Sequence, residues 1–201
     1  MKLEIPFYKQ TTELNCGPVA LRMVLAYFDK DSGVEILEER TGIKDGKGVS
    51  TIQIAKVAAL FGYKTDFFSK HIYFNEENLK LEFYQKYFDT NHQSKRLIEE
   101  AKLAGVKIEE RDLYLKRLLE KLGKNSVPII LLDWNVVNGK RDNGYQGHFV
   151  PIVGYDENNI YVHNHGFDKP TPFLPIKKEI FEEARKAKGT DEDIIIIHRI
   201  K

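Results

Sequence analysis

Apolar residues recur at helical spacing in the first part of the chain. They cover one helical face over residues 19–28, which predicts a helix beginning at about Pro18. Ser50 and Gln53 have the spacing of a capping box, so we expect a second helix to begin there. Residues 76–122 carry two amphipathic stripes and are predicted to be helical. The pattern therefore indicates a helical N-terminal part.

Later in the chain the apolar spacing becomes that of strands. A continuous apolar run begins at Val127 and predicts a buried strand. The predicted strands cover 127–134, 148–155, 160–162 and 194–198. A short helix is expected at 177–187, and an alternating strand near residues 3–7. Helices followed by antiparallel strands predict an α+β fold, with the N-terminal helical part packed on a C-terminal antiparallel sheet in one domain over 1–201.

Composition narrows the class of protein. The 201 residues are 42% hydrophobic and 30% charged, which is typical of a packed globular chain. No apolar run approaches the roughly 20 residues of a membrane span, and we expect neither a membrane segment nor a signal peptide. The net charge of +1 gives no electrostatic reason to expect nucleic acid or a membrane surface as a partner. A single cysteine excludes an internal disulfide and favours a cytoplasmic location.

Cys16 is the first candidate for chemistry. A lone cysteine is most often a small buried apolar residue, and a helical face shared with Ala20 and Met23 fits that alternative. Its position at a predicted helix N-terminus favours a reactive thiolate instead, because free N–H groups and the helix dipole stabilise negative charge there. Gly17, which follows it, would allow a substrate backbone to approach closely.

His148 and Asn164 are candidate partners of this thiol. The His148 imidazole begins a predicted strand and could hold the thiolate as an ion pair and later protonate a leaving group. Asn164 follows the next strand, where it could orient the imidazole across a hairpin. Gln10 could donate its side-chain amide to an oxyanion, together with the Cys16 backbone N–H. Each of these residues could equally be an ordinary strand or loop residue. Candidate substrate-binding residues around them are Gly17, Gly147, Tyr8 and Trp134.

The order of these motifs resembles that of the papain-like (clan CA) cysteine peptidases. It runs from Gln10 to Cys16-Gly17-Pro18, then to Gly147-His148-Phe149 and Asn164. His148 and Asn164 fall within the roughly 130–150 residues after the cysteine that papain-like enzymes show. Within this group the chain is most similar to the family 39-like peptidases, whose bacteriocin-processing members cut after a double glycine. Most of those carry Asp at the third position, so Asn164 departs from their pattern and resembles papain.

A narrower resemblance covers nearly the whole chain. It is to the family named for plant guanylyl cyclase 1 and animal guanylyl-cyclase-domain-containing protein, which shares the papain-like core pattern. The segments that carry it are 83–90 (FYQKYFDT), 145–149 (YQGHF), 181–185 (FEEAR) and 189–194 (GTDEDI). Together the resemblances imply a papain-like fold and a cysteine peptidase or related amide hydrolase that acts on a peptide or protein substrate without a cofactor.

Two other functions stay open at this point. The family name implies a guanylyl cyclase, which would need carboxylates to hold metal ions at a triphosphate. The candidates are Asp133, Asp142, Asp156 and Asp168, and none of them lies in a glycine-rich phosphate loop. A binding module that keeps the fold without turnover is the second alternative. His163 and His165 could also pair on a metal, although a solvated sheet edge is the expected place for them.

Overall fold

The computed structural model describes residues 1–73, 75–88 and 95–199. The helices are α1 (Cys16–Tyr27), α2 (Val34–Thr41), α3 (Thr51–Leu60), α4 (Glu82–Tyr87), α5 (Lys95–Leu103), α6 (Leu115–Leu119), α7 (Trp134–Val137) and α8 (Lys178–Arg185). The strands are β1 (Lys64–Ser69), β2 (Val106–Glu110), β3 (Ser126–Asp133), β4 (Gly147–Tyr155), β5 (Asn159–Asn164), β6 (Thr171–Lys177) and β7 (Ile194–His198). Short 3-10 helices cover Glu76–Lys80 and Arg141–Asn143. Within the described ranges, no helix is both long and apolar enough to cross a bilayer.

The strands form one twisted layer with the order β2-β1-β7-β3-β4-β5-β6. Every neighbouring pair is antiparallel except β1 and β2, which are parallel. The predicted α+β class is confirmed. The sheet is not wholly C-terminal, however, because β1 and β2 come from the half of the chain that was expected to be helical.

The segment predicted as continuous helix over 76–122 is the largest error of the sequence analysis. It contains β2 between two helices, and its residues 89–94 lie outside the described part of the chain. Val106 is buried where β2 pairs with the edge of β1, so tertiary pairing overrides the local helical pattern. Asp89 and Thr90, which end one of the family segments, also lie outside the described residues.

Other predicted elements match more closely. The capping box of Ser50 and Gln53 is present, and α3 begins directly after it. Near the start of the chain, Lys2 makes only an isolated bridge to Gly154 in place of the expected strand. Helix α2 and strands β1 and β6 had no prediction.

Helix α1 lies in the core and packs on β4, which it can do because most of its side chains are apolar and buried. Its second residue, Gly17, meets α3. A Cβ atom at Gly17 would lie 2.6 Å from Cδ1 of Ile54 and 2.7 Å from Cγ2 of Val49. Glycine at this position therefore allows α1 and α3 to pack closely. Gly17 was expected to contact the substrate, but it does not line the cavity described below. Its role in the structure is this packing contact.

We predict that Gly17→Ala destabilises the fold by about 1–3 kcal/mol, because the added methyl group overpacks the contact between α1 and α3. Urea unfolding measures this change. Gly123→Ala is the matched control, since a Cβ there has no heavy atom within 4 Å. Equal unfolding midpoints for the two variants would contradict the packing role.

Candidate active site

Cys16 is the first residue of α1, and its thiol faces three backbone N–H groups. They belong to Cys16 itself, to Gly17 and to Phe149, and each lowers the pKa of the thiol. Phe149 lies on β4, whose register pairs with β5 begin only at Ile152, so the earlier part of β4 is free to face α1. Burial acts in the opposite direction and is the larger effect, so the net pKa of the Cys16 thiol is raised.

His148 precedes Phe149 on β4, next to the cysteine. Its ring lies between Trp134 and His165, with centroid distances of 4.7 Å and 4.9 Å. Burial, and secondarily the charge that His165 would carry, lower the pKa of His148 well below its usual value. The free site therefore favours a neutral thiol and a neutral imidazole, which differs from the ion pair expected from the sequence. Desolvation is the physical reason, because it disfavours both charged forms.

Asn164 ends β5 and lies next to His148. Its side chain raises the pKa of the imidazole, although Nε2 of His148 makes no hydrogen bond of ordinary geometry. The Asn164 amide donates to the carbonyl oxygen of Lys169 at 2.7 Å, and its Oδ1 accepts from the N–H of Gly166 at 3.2 Å. These bonds fix the turn after β5 and hold the amide in place. Contacts of this kind tighten when a substrate is bound.

Gly166 shows that Gln10, His148 and Asn164 meet in space. A Cβ atom there would lie 3.4 Å from Oδ1 of Asn164, 3.6 Å from Oε1 of Gln10 and 3.8 Å from Cε1 of His148. The backbone N–H of Gln10 also donates to the carbonyl oxygen of His165, which ties the N-terminal loop to the end of β5. The structure thus brings together the residues of the predicted site from three separate parts of the chain.

The Gln10 amide has an unexpected orientation. Its Nε2 donates to the carbonyl oxygens of Thr12 at 3.0 Å and Glu13 at 3.4 Å, while its buried Oε1 has no hydrogen-bond partner. The side chain therefore presents an acceptor toward Gly166, and the donor role expected for an oxyanion requires a half-turn of the amide.

His163 and His165 were expected at a solvated edge, and this prediction is wrong: both are fully buried. His163 contacts the carbonyl oxygen of Ile5 through Nε2 and accepts from the N–H of Phe173. The two ring nitrogens of His165 each lie 3.0 Å from a carbonyl oxygen, one of Cys16 and one of His163. His165 thus fixes the backbone of the cysteine, a role that its place two residues after His163 on a strand did not reveal.

The remaining predicted residues divide into two groups. Trp134 and Gly147 line the same cavity as Cys16 and His148. Tyr8 does not: its hydroxyl donates to Asp31, and its ring lies under the guanidinium group of Arg22. The expectation that Tyr8 forms a wall of the site is therefore wrong.

The cavity has a volume of about 550 Å³, and its other end is acidic and aromatic. Asp193 lies there, and its Oδ2 accepts a hydrogen bond from the hydroxyl of Thr51. Its Oδ1 is buried without a partner, and burial raises the pKa of the carboxyl to about 7. Asp193 was not among the residues predicted from the sequence. The signal was a carboxylate directly before the four consecutive isoleucines of β7, since such a run places the carboxylate at the end of a buried strand.

Metal binding has no support from the residues described here. They contain no group of three or more His, Cys, Asp or Glu side chains that could hold a metal ion. Two of the carboxylates considered for a cyclase serve local structure: Asp133 accepts the N–H groups of Asn135 and Gln146, and Asp156 accepts those of a turn.

We predict that His165→Gln changes the dependence of stability on pH. Burial lowers the pKa of His165 to about 4, whereas it is about 6.5 in the unfolded chain. The unfolded state therefore binds more protons between these values, and wild-type stability falls as the pH falls. Between pH 7 and 4.5 the wild type should lose about 2 kcal/mol relative to the variant. Urea unfolding at both pH values measures the free energy of unfolding of each protein. If wild type and variant differ by the same free energy at pH 7 and at pH 4.5, the lowered pKa of His165 would be contradicted.

Three solved structures share this fold. A double-glycine-motif protease from an AMS/PCAT transporter, in complex with the leader peptide, is 18% identical over all of this chain and 94% of its own, with a TM-score of 0.55. The peptidase domain of Streptococcus ComA, a bi-functional ABC transporter of a quorum-sensing pathway, is 13% identical over 98% and 100% of the chains, with a TM-score of 0.54. A Bacillus anthracis protein described as a C39-like peptidase is 17% identical over 100% and 98%, with a TM-score of 0.55. The fold is that of the C39 papain-like peptidases.

The sequence itself matches a family model. The model is described as guanylylate cyclase, and the match covers residues 5–197, which is nearly the whole chain. Both resemblances found in the sequence are thereby confirmed. The chain belongs to the guanylylate cyclase family and has the fold of the C39-like peptidases.

Proposed function

We propose that the protein is a cysteine peptidase or a related amide hydrolase that acts through a thioester on Cys16. One observation carries the proposal. The thiol faces three backbone N–H groups at a helix N-terminus, in a cavity that it shares with a buried imidazole whose Nε2 is unpartnered. These features support a pairing of Cys16 as nucleophile with His148 as general base, with a third side chain, Asn164, next to the base.

The acylation half begins from the neutral pair. His148 accepts the proton of the Cys16 thiol as Sγ attacks the carbonyl carbon of the substrate. Burial favours this order, because a separated thiolate and imidazolium are costly in a desolvated site until the substrate arrives. The C–N bond then breaks, His148 gives the proton to the leaving amine, and the acyl group remains on sulfur.

Oxyanion stabilisation requires a donor besides the backbone. The N–H groups around Cys16 are one source. Gln10 becomes the other when its amide turns, which exchanges its bonds to the loop carbonyls for one to the oxyanion. The unpartnered Oε1 favours this turn, since a buried acceptor without a donor carries a desolvation cost.

The second half regenerates the thiol. His148 takes a proton from water, the resulting hydroxide attacks the thioester, and the acid product leaves as Sγ recovers its proton from the imidazolium. An amine or thiol in place of water would make the same site a transferase.

A peptide is the proposed substrate class. The transporter protease with the same fold was solved with a leader peptide bound, which supports a peptide as the occupant of the corresponding cleft here. The cavity volume lies within the range of small-ligand sites, so it would hold a few residues of an extended chain.

Guanylyl cyclase activity is the second candidate, because the description of the family names it. The two mechanisms differ in what they require of Cys16. Cyclisation of GTP places no demand on a thiol, whereas the thioester route cannot proceed without one.

We predict that Cys16→Ala lowers peptide cleavage by about 10³-fold or more, because it removes the nucleophile. A proteome-derived peptide library, with new termini counted by mass spectrometry, measures cleavage across many sequences at once. Tyr8→Phe is the control, since Tyr8 lies away from the cavity, and it should cleave like the wild type.

Two outcomes would contradict the proposal. One is cleavage that persists in Cys16→Ala at the wild-type rate. The other is formation of cyclic GMP from GTP and Mg²⁺ that is equal in the wild type and Cys16→Ala, with no peptide cleaved by either, which would select the cyclase. Circular dichroism of Cys16→Ala checks that the variant keeps the fold.

A further inference from the structure

The acidic end of the cavity takes no part in the mechanism above. Asp193 is 5% exposed and lines the cavity together with Asp191, which accepts hydrogen bonds from the amides of Asn75 and Asn78. The hydroxyl of Thr51 donates a hydrogen bond to Oδ2 of Asp193, so this oxygen has a structural partner. The other oxygen, Oδ1, is buried and has no partner. A buried carboxylate oxygen without a donor is rare in folded proteins, and this one is available to a ligand that carries a donor.

Neighbouring polar groups do not satisfy this oxygen. Lys70 and Arg185 both pair with Glu192, the residue before Asp193. A hydrogen bond from the Ser69 hydroxyl lowers the pKa of Asp193, but the same hydroxyl also lies 3.0 Å from the carbonyl oxygen of His71 and 3.4 Å from that of Asp191. Its single proton is therefore shared among three acceptors and does not belong to Asp193 alone. Among the described residues, no Lys, Arg or His side chain pairs with Asp193. An ammonium group here would therefore meet no competing cationic side chain, and its charge would favour the ionised form of the Asp193 carboxyl.

Aromatic rings complete the wall. Tyr84 and Tyr145 line the cavity and stack with centroids 5.6 Å apart, and Phe83 packs edge-on against Tyr145 at 5.2 Å. Burial first, and the charge of Asp193 among the smaller causes, raise the pKa of both tyrosine hydroxyls, so these hydroxyls lie within electrostatic range of the carboxyl. Aromatic faces attract cations, and they add to the attraction of a carboxylate.

The acidic end lies close enough to the thiol to contact the same substrate. The N–H of Leu131 donates to the carbonyl oxygen of Asp193, and Leu131 pairs with Phe149, whose N–H faces Cys16. Two strand spacings, about 10 Å, therefore separate the backbone of Asp193 from that of Phe149. About three extended residues span this distance.

We propose that the Asp193 end of the cavity is a subsite for a cationic ammonium group of the substrate, held between the free carboxylate oxygen and the rings of Tyr84 and Tyr145. That the cation belongs to the substrate rests on the function proposed above, whereas the binding of a cation at this place does not. A lysine side chain and a peptide N-terminus carry the same ammonium chemistry, and either could supply it.

Three probes with the same backbone separate these sources. Nα-acetyl-lysine methylamide carries a side-chain cation, norleucine methylamide carries an α-ammonium group, and Nα-acetyl-norleucine methylamide carries no charge. Binding of each probe is measured by NMR titration at pH 7. The Cys16→Ala variant is used so that no probe is turned over. We expect one of the two cationic probes to bind at least tenfold more tightly than the uncharged probe. Equal affinity of all three would overturn the proposal.

Variants locate the effect. Asp193→Asn in the Cys16→Ala background should reduce the preference for the cation to less than twofold. Asp168→Asn is the matched control, because Asp168 is an exposed carboxylate that lines the same cavity, and it should keep the preference. A preference lost equally in both variants would overturn the assignment to Asp193. The comparison of probes in Cys16→Ala alone remains decisive if Asp193→Asn does not fold.

Failure of this inference and failure of the proposed function are distinguishable. Equal probe affinities with Cys16-dependent peptide cleavage would remove the subsite and leave the enzyme. If the protein prefers a cationic probe tenfold but cleaves no peptide, the cation-binding subsite would stand and the proposed hydrolase activity would be wrong.

Discussion

The contact between the N-terminus of α1 and the first part of β4 positions the whole site. It places the Cys16 thiol against the N–H of Phe149, one residue from His148. His165 secures the same contact from the other side, since its ring approaches the Cys16 carbonyl oxygen and lies beside the His148 ring. The contact requires β4 to lack a β5 partner before Ile152 and requires α3 to approach closely at Gly17. The chemistry of the site thus depends on how a helix end meets a strand edge.

Burial is the second constraint, and it explains the electrostatics of the cavity. One physical cause, desolvation, raises the pKa of Cys16 and of Asp193 and lowers those of His148 and His165. Each group is shifted toward its neutral form. Buried polar atoms of Gln10, His148 and Asp193 have no hydrogen-bond partner, and all three residues line one cavity. A ligand with complementary donors and charge would satisfy them together, which is how a desolvated site gains specificity.

Much of the fold, and the meeting of the candidate site residues, could be predicted from the sequence. The helix expected from about Pro18, the capping box at Ser50 and the strands expected at 148–155 and 160–162 follow from apolar period and capping chemistry, which are local. Helix α1 begins two residues earlier, at Cys16, and β5 continues to Asn164. Strand β2 could not be predicted, because its pairing with β1 joins segments about 40 residues apart and outweighs a local helical pattern. The burial of His165 and the unpartnered oxygen of Asp193 depend on contacts between distant segments, so neither has a local signal. Gly17 and Tyr8 were given substrate roles on proximity in sequence, whereas packing with Ile54 and the bond to Asp31 determine where they lie.

The most direct test of the central claim is the rate of Cys16 alkylation by iodoacetamide at pH 7, compared between the wild type and His148→Ala. If the imidazole is the base that removes the thiol proton, the wild type should react at least tenfold faster, as general bases contribute about 10²–10⁴-fold in full catalysis. Labelling confirmed at Cys16 by mass spectrometry, with both proteins folded, makes the comparison specific. Equal rates in the two proteins would show that His148 does not act on Cys16, and the proposed pair of nucleophile and base would be wrong.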